Sequence, residues 1–402
     1  MENIFKAIPI SRHVYWVGAV DWSLRNFHGY ATGRGTTYNA YLVLAERVTL
    51  IDTVKTPFLE EMFSRIRSVI DPARIEYIVS NHAEMDHSGG LPETVRRVNP
   101  SKLFASSRGV KALEAHFGDR LAPLAVSADK PLSLGGMNLR FVETPLLHWP
   151  DSMFSFLDQD GVLFSQDAFG MHLATSKLFA DENPEWVLDF EEAKYFANIL
   201  LPYSSRILSL LDQLAALDLP LQVLAPDHGP VWRRDFTKLF DFYRRWALQT
   251  PGRKAVILYD TMWGSTEKMA RAFSEGIVES GCEARPCSMS VNHRSDAALE
   301  ILEAGALVAG SPTINDHLFP TLADCLTYLR GLKPRNLLGA VFGSYGWNGR
   351  AVVQLREFLE SMKVELPFED IKALYVPGAS VLEHLRENGR KLGKRLLAQK
   401  ES

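Results

Sequence analysis

From about residue 254 the sequence settles into one rhythm. AVILYD (255–260) is followed by TEKMARAFSEGIVESG (266–281), ALVAGS (306–311) by FPTLADCLTYLRGL (319–332), and GAVFGS (339–344) by AVVQLREFLESM (351–362). The short member of each pair is apolar throughout, as a strand buried on both faces requires. The long member spaces its apolar residues as a helix does. A strand, a helix and another strand in succession bring each new strand up parallel to the last. The pattern therefore predicts a parallel sheet with helices on both faces.

The first 250 residues have a different texture. Short apolar runs bounded by turn residues recur, among them YLVLAERVTLIDT (41–53), IEYIVSNH (75–82), LRFVET (139–144), GVLFSQD (161–167) and LQVLAPDH (221–228). Their β-branched content favours strands, and helical stretches such as PFLEEMFSRIRSVI (57–70) lie between them. Pro251 and Gly252 interrupt the chain at LQTPGRK (248–254). Two domains are expected, 1–250 and 251–402, with no internal repeat and no low-complexity segment. A chain of 402 residues, 46% of them hydrophobic, can bury more than one core.

Composition narrows the function. Lys+Arg number 44 against 48 Asp+Glu, a net charge of −4 that offers no footprint for nucleic acid or an anionic membrane surface. The opening MENIFKAIPISRHVYWVGAV is broken by Lys6, Pro9, Ser11 and Arg12 and lacks the apolar stretch of a signal peptide. No run approaches the roughly 18 apolar residues of a membrane span. The three cysteines, Cys282, Cys287 and Cys325, form no C-x-x-C pair and imply neither a disulfide framework nor a thiolate-bound cluster. A soluble cytoplasmic protein is expected.

Residues 81–90 read NHAEMDHSGG, placing His82, Glu84, Asp86 and His87 within six positions just beyond a predicted strand. A strand end fixes the roots of such residues while the loop lets their side chains converge. His148, Asp167 and His228 follow three later predicted strands in the same way. Together these are four histidines and three carboxylates, enough for two metal ions if one carboxylate is shared. This order of ligands resembles the metallo-β-lactamase-like fold, an αββα sandwich. Hydrolases of that superfamily carry a second histidine where this chain has Glu84. Imidazole suits zinc, copper, nickel and iron alike, whereas added carboxylates favour harder ions such as iron or manganese. Glu84 therefore points away from a zinc hydrolase and towards a di-iron redox site.

In the second half, DTMWGSTE (260–267) joins a strand to its helix. The hydroxyls of Thr261, Ser265 and Thr266, with backbone N–H groups around Met262, Trp263 and Gly264, could cradle a phosphate at the helix N-terminus. No Gly-Lys-[Ser/Thr] occurs there, which argues against a nucleoside triphosphate. Alone, the stretch reads better as that of an ordinary capped helix. Two more loops follow the next strands at the same sheet edge: SPTIN, with Pro312, Thr313, Ile314 and Asn315, and SYGWNGR, with Ser344, Tyr345, Gly346, Trp347 and Gly349. Ligands of open α/β sheets bind beyond the carboxyl ends of strands. The trio resembles the flavodoxin family, whose first loop binds the FMN phosphate while the other two flank the flavin ring.

A lactamase-like half carrying Glu84, followed by a flavodoxin-like half, resembles the flavodiiron proteins, or A-type flavoproteins, of the rubredoxin:oxygen oxidoreductase type. The resemblance spans NFHGYATGRGTTYNAYLV (26–43), LLHWPDSM (146–153), YFANILLPY (195–203), PDHG (226–229) and the flavin loops. It implies an iron held by His82, Glu84 and His148, a second held by Asp86, His87 and His228, and Asp167 bridging them. It implies reduction of O2 to water or of NO to N2O, one FMN, and a head-to-tail homodimer or dimer of dimers. In that dimer the flavin of one subunit meets the di-iron site of the other, near Trp347. With no rubredoxin-like cysteine pairs before the end at Ser402, electrons are expected from a separate rubredoxin or similar protein. His28 and Tyr195 are candidates to line the pocket and donate protons, and His172 is a candidate for either a pocket or a packing role. His13, His116, His293, His317 and His384 are read as surface residues. Two other readings remain at this point: a zinc-dependent hydrolase with a flavodoxin-like appendage, and a non-enzymatic flavin electron carrier.

Overall fold

A computed structural model describes residues 4–127 and 129–399. The chain forms two compact units. The first gathers residues within 4–28, 32–195 and 205–242, and the second those within 29–31, 196–204 and 243–399. The division falls inside the helix Phe236–Leu248, just ahead of the proline–glycine break at 251–252.

The first unit contains two sheets. One runs in the order β1 (Ile8–Pro9), β2 (Val14–Trp16), β3 (Tyr41–Val43), β4 (Thr49–Ile51), β5 (Tyr77–Ser80), β6 (Lys102–Ala105) and β7 (Pro123–Ala125). Its strands are antiparallel as far as β4 and parallel from there on. The other runs β8 (Leu132–Ser133), β9 (Asn138–Glu143), β10 (Met153–Leu157), β11 (Val162–Gln166) and β12 (Val223–Pro226), with only β12 parallel to its neighbour.

The two-residue period of a strand sorts side chains of the first sheet into separate cores. Tyr41, Val43, Tyr77 and Val79 face Phe141, Met153, Leu157 and Phe164 of the second sheet. Their chain neighbours Leu42 and Ile78 face Met62, Phe63, Leu91 and Leu113, contributed by the helices Leu59–Arg67, Leu91–Val98 and Ser107–Phe117. On the far side of the second sheet, Phe154 lies 6.3 Å from Phe169, which lies 5.2 Å from Phe240 of the helix Phe236–Leu248. Helix, sheet, sheet and helix stack as the αββα sandwich. The run 41–53 is not one strand but a hairpin in which Tyr41 pairs with Ile51, because Ala45, Glu46 and Arg47 form the turn.

In the second unit a parallel sheet runs β14 (Glu283–Ser288), β13 (Lys254–Tyr259), β15 (Ala306–Pro312), β16 (Leu338–Tyr345) and β17 (Ile371–Leu374). The strand order 2-1-3-4-5 is the doubly wound order whose switch point lies between the first and third strands. The strands β14 and β17 lack the apolar runs that mark the other three in the sequence. β14 is an edge strand carrying Arg285 and Pro286, and an edge position is where a missing N–H is tolerated. β17 is a four-residue edge strand whose side chains alternate between buried and exposed.

The helices Ser265–Glu279 and Ala379–Ala398 pack closely on each other through glycines. A Cβ on Gly389 would lie 2.2 Å from the Phe273 carbonyl oxygen and 3.1 Å from the Gly276 Cα. Gly331, inside the helix Pro320–Leu332, has nothing within 4 Å of the same added atom. The two substitutions should therefore move stability in opposite directions. Gly389→Ala is expected to destabilise the second unit by about 1–3 kcal/mol through overpacking. Gly331→Ala is expected to stabilise it by up to about 1 kcal/mol through helix propensity. Urea unfolding followed by circular dichroism measures both.

Candidate metal centre and flavin-loop edge

Four strand ends of the first unit meet at one place. His82 lies two residues beyond β5, and the short helix Met85–Ser88 that follows carries Asp86 and His87, with Glu84 at its N-terminal boundary. His148 lies in the connection between β9 and β10, Asp167 directly after β11, and His228 two residues after β12. The seven side chains form two groups able to hold a metal ion, His82–Glu84–His148–Asp167 and Asp86–His87–His228.

The two oxygens of Asp167 face different groups. Oδ2 lies 2.8 Å from His148 Nε2 and 3.4 Å from His82 Nε2. Oδ1 lies 3.2 Å from His87 Nε2 and 3.4 Å from His228 Nε2. Glu84 Oε2 closes the first group at 3.3 Å from His82 and 3.2 Å from His148. Asp86 closes the second at 3.5 Å from His87 and 3.2 Å from His228. Such separations are the edge lengths of a coordination polyhedron: ligands about 2.1 Å from an ion stand about 3.0–3.4 Å apart. Both oxygens of Asp86, both ring nitrogens of His87 and Oδ1 of Asp167 are buried without a hydrogen-bond partner among the described residues. Buried polar atoms are rarely left so, and two cations would satisfy all of them but His87 Nδ1, which faces Asp227 at 3.6 Å.

The flavin-loop residues of the second unit sit at the carboxyl ends of β13, β15 and β16. Gly264, at φ +80° with nothing near an added Cβ, turns the chain into the helix Ser265–Glu279. Its N–H donates to Thr261 Oγ1 at 3.0 Å. No described side chain caps this helix, so its first-turn N–H groups and the Ser265 hydroxyl can receive an anion. Thr266 Oγ1 is 3.0 Å from Ser344 Oγ, and the Thr313 N–H donates to the Ser344 carbonyl at 2.9 Å, tying the three loops together. Pro312 ends β15, and Ile314 and Asn315 open a tight turn closed by His317. Gly346 passes close to the Tyr375 ring and Gly349 close to the Lys372 side chain. Met262, Trp263 and Trp347 project outward, the two tryptophans 93% and 96% exposed.

Residues 36–229 match the family described as ODP family beta lactamase, and residues 257–389 match the flavodoxin family. The chain is 42% identical to the nitric oxide reductase of Moorella thermoacetica over 97% of its own length and 98% of the relative's. The structure resembles rubredoxin oxygen:oxidoreductase from Desulfovibrio gigas with a TM-score of 0.97 at 39% identity, covering 99% of this chain and 100% of that one. It resembles the flavodiiron protein from Giardia intestinalis with a TM-score of 0.94 at 33% identity, covering 98% and 97%. The chain belongs to the flavodiiron proteins. As a member it is an oxidoreductase, its flavodoxin domain implies FMN, and its lactamase-like domain implies a di-iron site.

The electrostatics of this flavodiiron site are those of a cation centre in which protons stand in for metal. Burial alone would push the His82 imidazole down, but the carboxylates of Asp151, Asp167 and Glu84 hold it well above its ordinary value. His87 is likewise opposed by burial yet pushed up to about 10 by Asp86, Asp227 and Asp167, and His148 is raised by Asp167 and Glu84. The histidines in turn hold Asp167 well below the usual carboxylate range against its own burial.

Several supporting residues gave no signal of their role in the sequence. Asp151 Oδ2 accepts the Ala83 N–H at 2.6 Å and lies 3.4 Å from His82 Nδ1. The Thr37 carbonyl accepts from His228 Nδ1 at 2.6 Å, which leaves Nε2 with its lone pair facing the centre. Asp227 lies 3.6 Å from His87 Nδ1, and the Thr53 hydroxyl donates to the His87 carbonyl. Asp151 and Asp227 lie beside ligands in LLHWPDSM and PDHG, so adjacency was the one available hint.

The three pocket candidates separate. His28 is exposed, with Nε2 3.5 Å from Glu84 Oε1 at the rim. His172 is buried and bonded to Thr36 Oγ1 at 2.9 Å, and burial holds it well below its ordinary value and therefore neutral. Tyr195 is buried, its ring 5.1 Å from His172 and 6.3 Å from His228.

A metal ion needs the neutral imidazole, so uptake must displace the protons that His82, His87 and His148 hold in the metal-free protein. The folded value of His87 lies above its unfolded one of about 6.5. Its proton therefore stabilises the metal-free fold below that pH and ceases to do so as pH rises through about 10. Titrating metal-free protein with Fe(II) in weak buffer at pH 7 should release more than one proton per chain. Apparent affinity should rise steadily between pH 6 and 9, and a flat profile would contradict this account.

Proposed function

We propose that this chain reduces O2 to water and NO to N2O at a pair of irons, with electrons passing through FMN from a rubredoxin-like donor protein. The observation that carries the reading is Asp167, one buried carboxylate whose two oxygens address two separate groups of nitrogen and oxygen donors. His82, Glu84 and His148 would hold one iron and Asp86, His87 and His228 the other, with Asp167 between them. Two ferrous ions and one reduced FMN would supply the four electrons that O2 requires, or the two consumed when a pair of NO molecules becomes N2O.

The chain's own residues supply the setting. Six of the seven ligands are buried and His148 is half-buried, which keeps bulk water from the donors. His28 stands at the rim beside Glu84, where its imidazole can exchange protons with solvent. Tyr195 presents a phenol beside the neutral His172, and both can donate hydrogen bonds to a small bound molecule. Thr261, Ser265 and Thr266 would take the FMN phosphate. Trp263 and Trp347, standing almost fully in solvent, would flank its ring. Three buried cysteines without a disulfide suit a reducing cytoplasm, and no helix among the described residues is long and apolar enough to cross a membrane.

Purified protein from iron-replete cells should contain two irons and one FMN per chain. It should consume O2 or NO when supplied with reduced rubredoxin. Stoichiometric zinc with little iron, or no gas consumption under anaerobic supply of that donor, would overturn the reading.

The same reading includes a head-to-tail pair of chains in which the flavin of one subunit serves the irons of the other. The outward tryptophans beside the flavin loops support it, since a second copy would cover them. Complementation tests it. A His148→Ala, His228→Ala chain should lose iron and keep FMN. Ser265→Asp should lose FMN by charge repulsion and keep iron. Each should be nearly inactive alone, and the tagged heterodimer should recover activity through one intact junction. Heterodimers of verified cofactor content that stay inactive would refute the pairing.

A further inference from the structure

Most buried acids of the first unit lie among the histidines of the metal centre, but Glu192 does not. The helix Glu185–Tyr195 buries it to 1% exposure, and its Oε1 has no hydrogen-bond partner among the described residues. It lines a surface cavity of about 240 Å³ whose apolar wall is formed by Leu188, Trp232, Leu239 and Phe242. That space is large enough for several waters.

The charged groups facing this cavity already have partners. Lys238 Nζ lies 2.5 Å from Glu185 and 2.8 Å from Asp189. Arg233 Nε is 3.0 Å from Asp181, and Arg234 reaches Asp181 at 3.3 Å and Asp235 at 3.6 Å. Each base therefore has an acid, and Glu192 is the acid without a base. Burial, reinforced by Asp189 and only partly offset by Lys238, holds its carboxyl well above the usual range, so it carries a proton at neutral pH.

Glu192 stands one helical turn ahead of Tyr195, and residues three apart on a helix have Cβ atoms about 5–6 Å apart on one face. Tyr195 is itself 1% exposed and packs on His172 beside the metal centre. Reduction of O2 to two waters consumes four protons, and conversion of two NO to N2O and water consumes two. In the dimer proposed above, the rim beside His28 faces the partner's flavin, so a second way in for protons is needed.

We propose that Glu192 is the proton-entry residue of this chain, taking protons from water in the cavity and passing them along its helix to Tyr195. The inference rests on the gas-reductase reading. In one passage the carboxyl O–H bond breaks as Tyr195 gains that proton at its oxygen and gives its own hydroxyl proton to an oxygen of the gas under reduction, which takes its electrons from the irons and FMN. A hydronium in the cavity then gives up a proton to restore the carboxyl. Glu192 and Tyr195 end as they began, and neither is oxidised or reduced.

The first readout needs no turnover. Infrared spectra of metal-free protein at pH 7 should show a protonated-carboxyl C=O band that shifts promptly in D2O and is missing from Glu192→Gln. In the iron- and FMN-loaded enzyme, Glu192→Gln should lower kcat at saturating donor by about 10-fold or more, within the range of a lost general acid. KM for the gas and cofactor contents should stay unchanged and the solvent isotope effect should grow. Glu192→Asp should recover part of the rate. Because the two residues act in series, Glu192→Gln with Tyr195→Phe should be no slower than the slower single variant. Absence of the band, or full turnover with an unchanged isotope effect in Glu192→Gln, would overturn the proposal while leaving the gas-reductase reading standing. Loss of gas turnover in the unaltered enzyme would instead overturn that reading and this inference with it.

Discussion

Asp167 is the residue on which the first unit converges. A carboxylate buried to 1% exposure is costly unless cations surround it, and here imidazoles approach it from two sides. Those imidazoles come from the segments that follow β5 and β12 and from the β9–β10 connection, so none can be moved without disturbing its sheet. The β11–β12 pairing brings Asp167 and His228 together, because Gln166 pairs with Pro226 one residue before Asp167 and two before His228. The sandwich core between the sheets then brings the His82 segment from β5 against that edge. The packing of Tyr77 and Val79 on Phe141, Met153 and Phe164 is thus what holds the two halves of the centre together.

The supporting shell explains why the donors point where they do. Asp151 and the Thr37 carbonyl each engage the outward nitrogen of a histidine, orienting the ring so that Nε2 faces inward. His87 is held more loosely, with Asp227 at 3.6 Å and no hydrogen bond to either ring nitrogen among the described residues. The second unit solves a different problem with backbone. It offers the open N-terminus of a helix behind Gly264 and three loops cross-linked by Thr266, Ser344 and Thr313, where the proposed FMN phosphate would meet mainly main-chain groups.

Much of this was legible in the residues. The apolar runs 255–260, 306–311 and 339–344 became the central strands of the second sheet, since a run buried on both faces cannot sit at an edge. The edge strands Glu283–Ser288 and Ile371–Leu374 were not legible, because an edge half open to solvent tolerates Arg285, Pro286 and Lys372. The excursions of residues 29–31 and 196–204 into the second compact unit carry no compositional mark. Nothing in the sequence marks Glu192, between Glu191 and Ala193, yet it is among the most deeply buried ionisable residues of its unit.

The sequence by itself determined the central strands, the helices between them and which donors stand at strand ends, because strand and helix periods are local properties of the chain. It also named the seven donors through their resemblance to a known order of ligands. Only the tertiary structure decided that one oxygen of Asp167 faces His148 and the other His87, that Thr37 offers a carbonyl to His228 across 191 residues of chain, and that Glu192 lines a cavity whose bases pair with other acids. The direction of a side chain and the company it keeps depend on segments far away in sequence. Those segments become neighbours only when the sheets twist and close over a shared core.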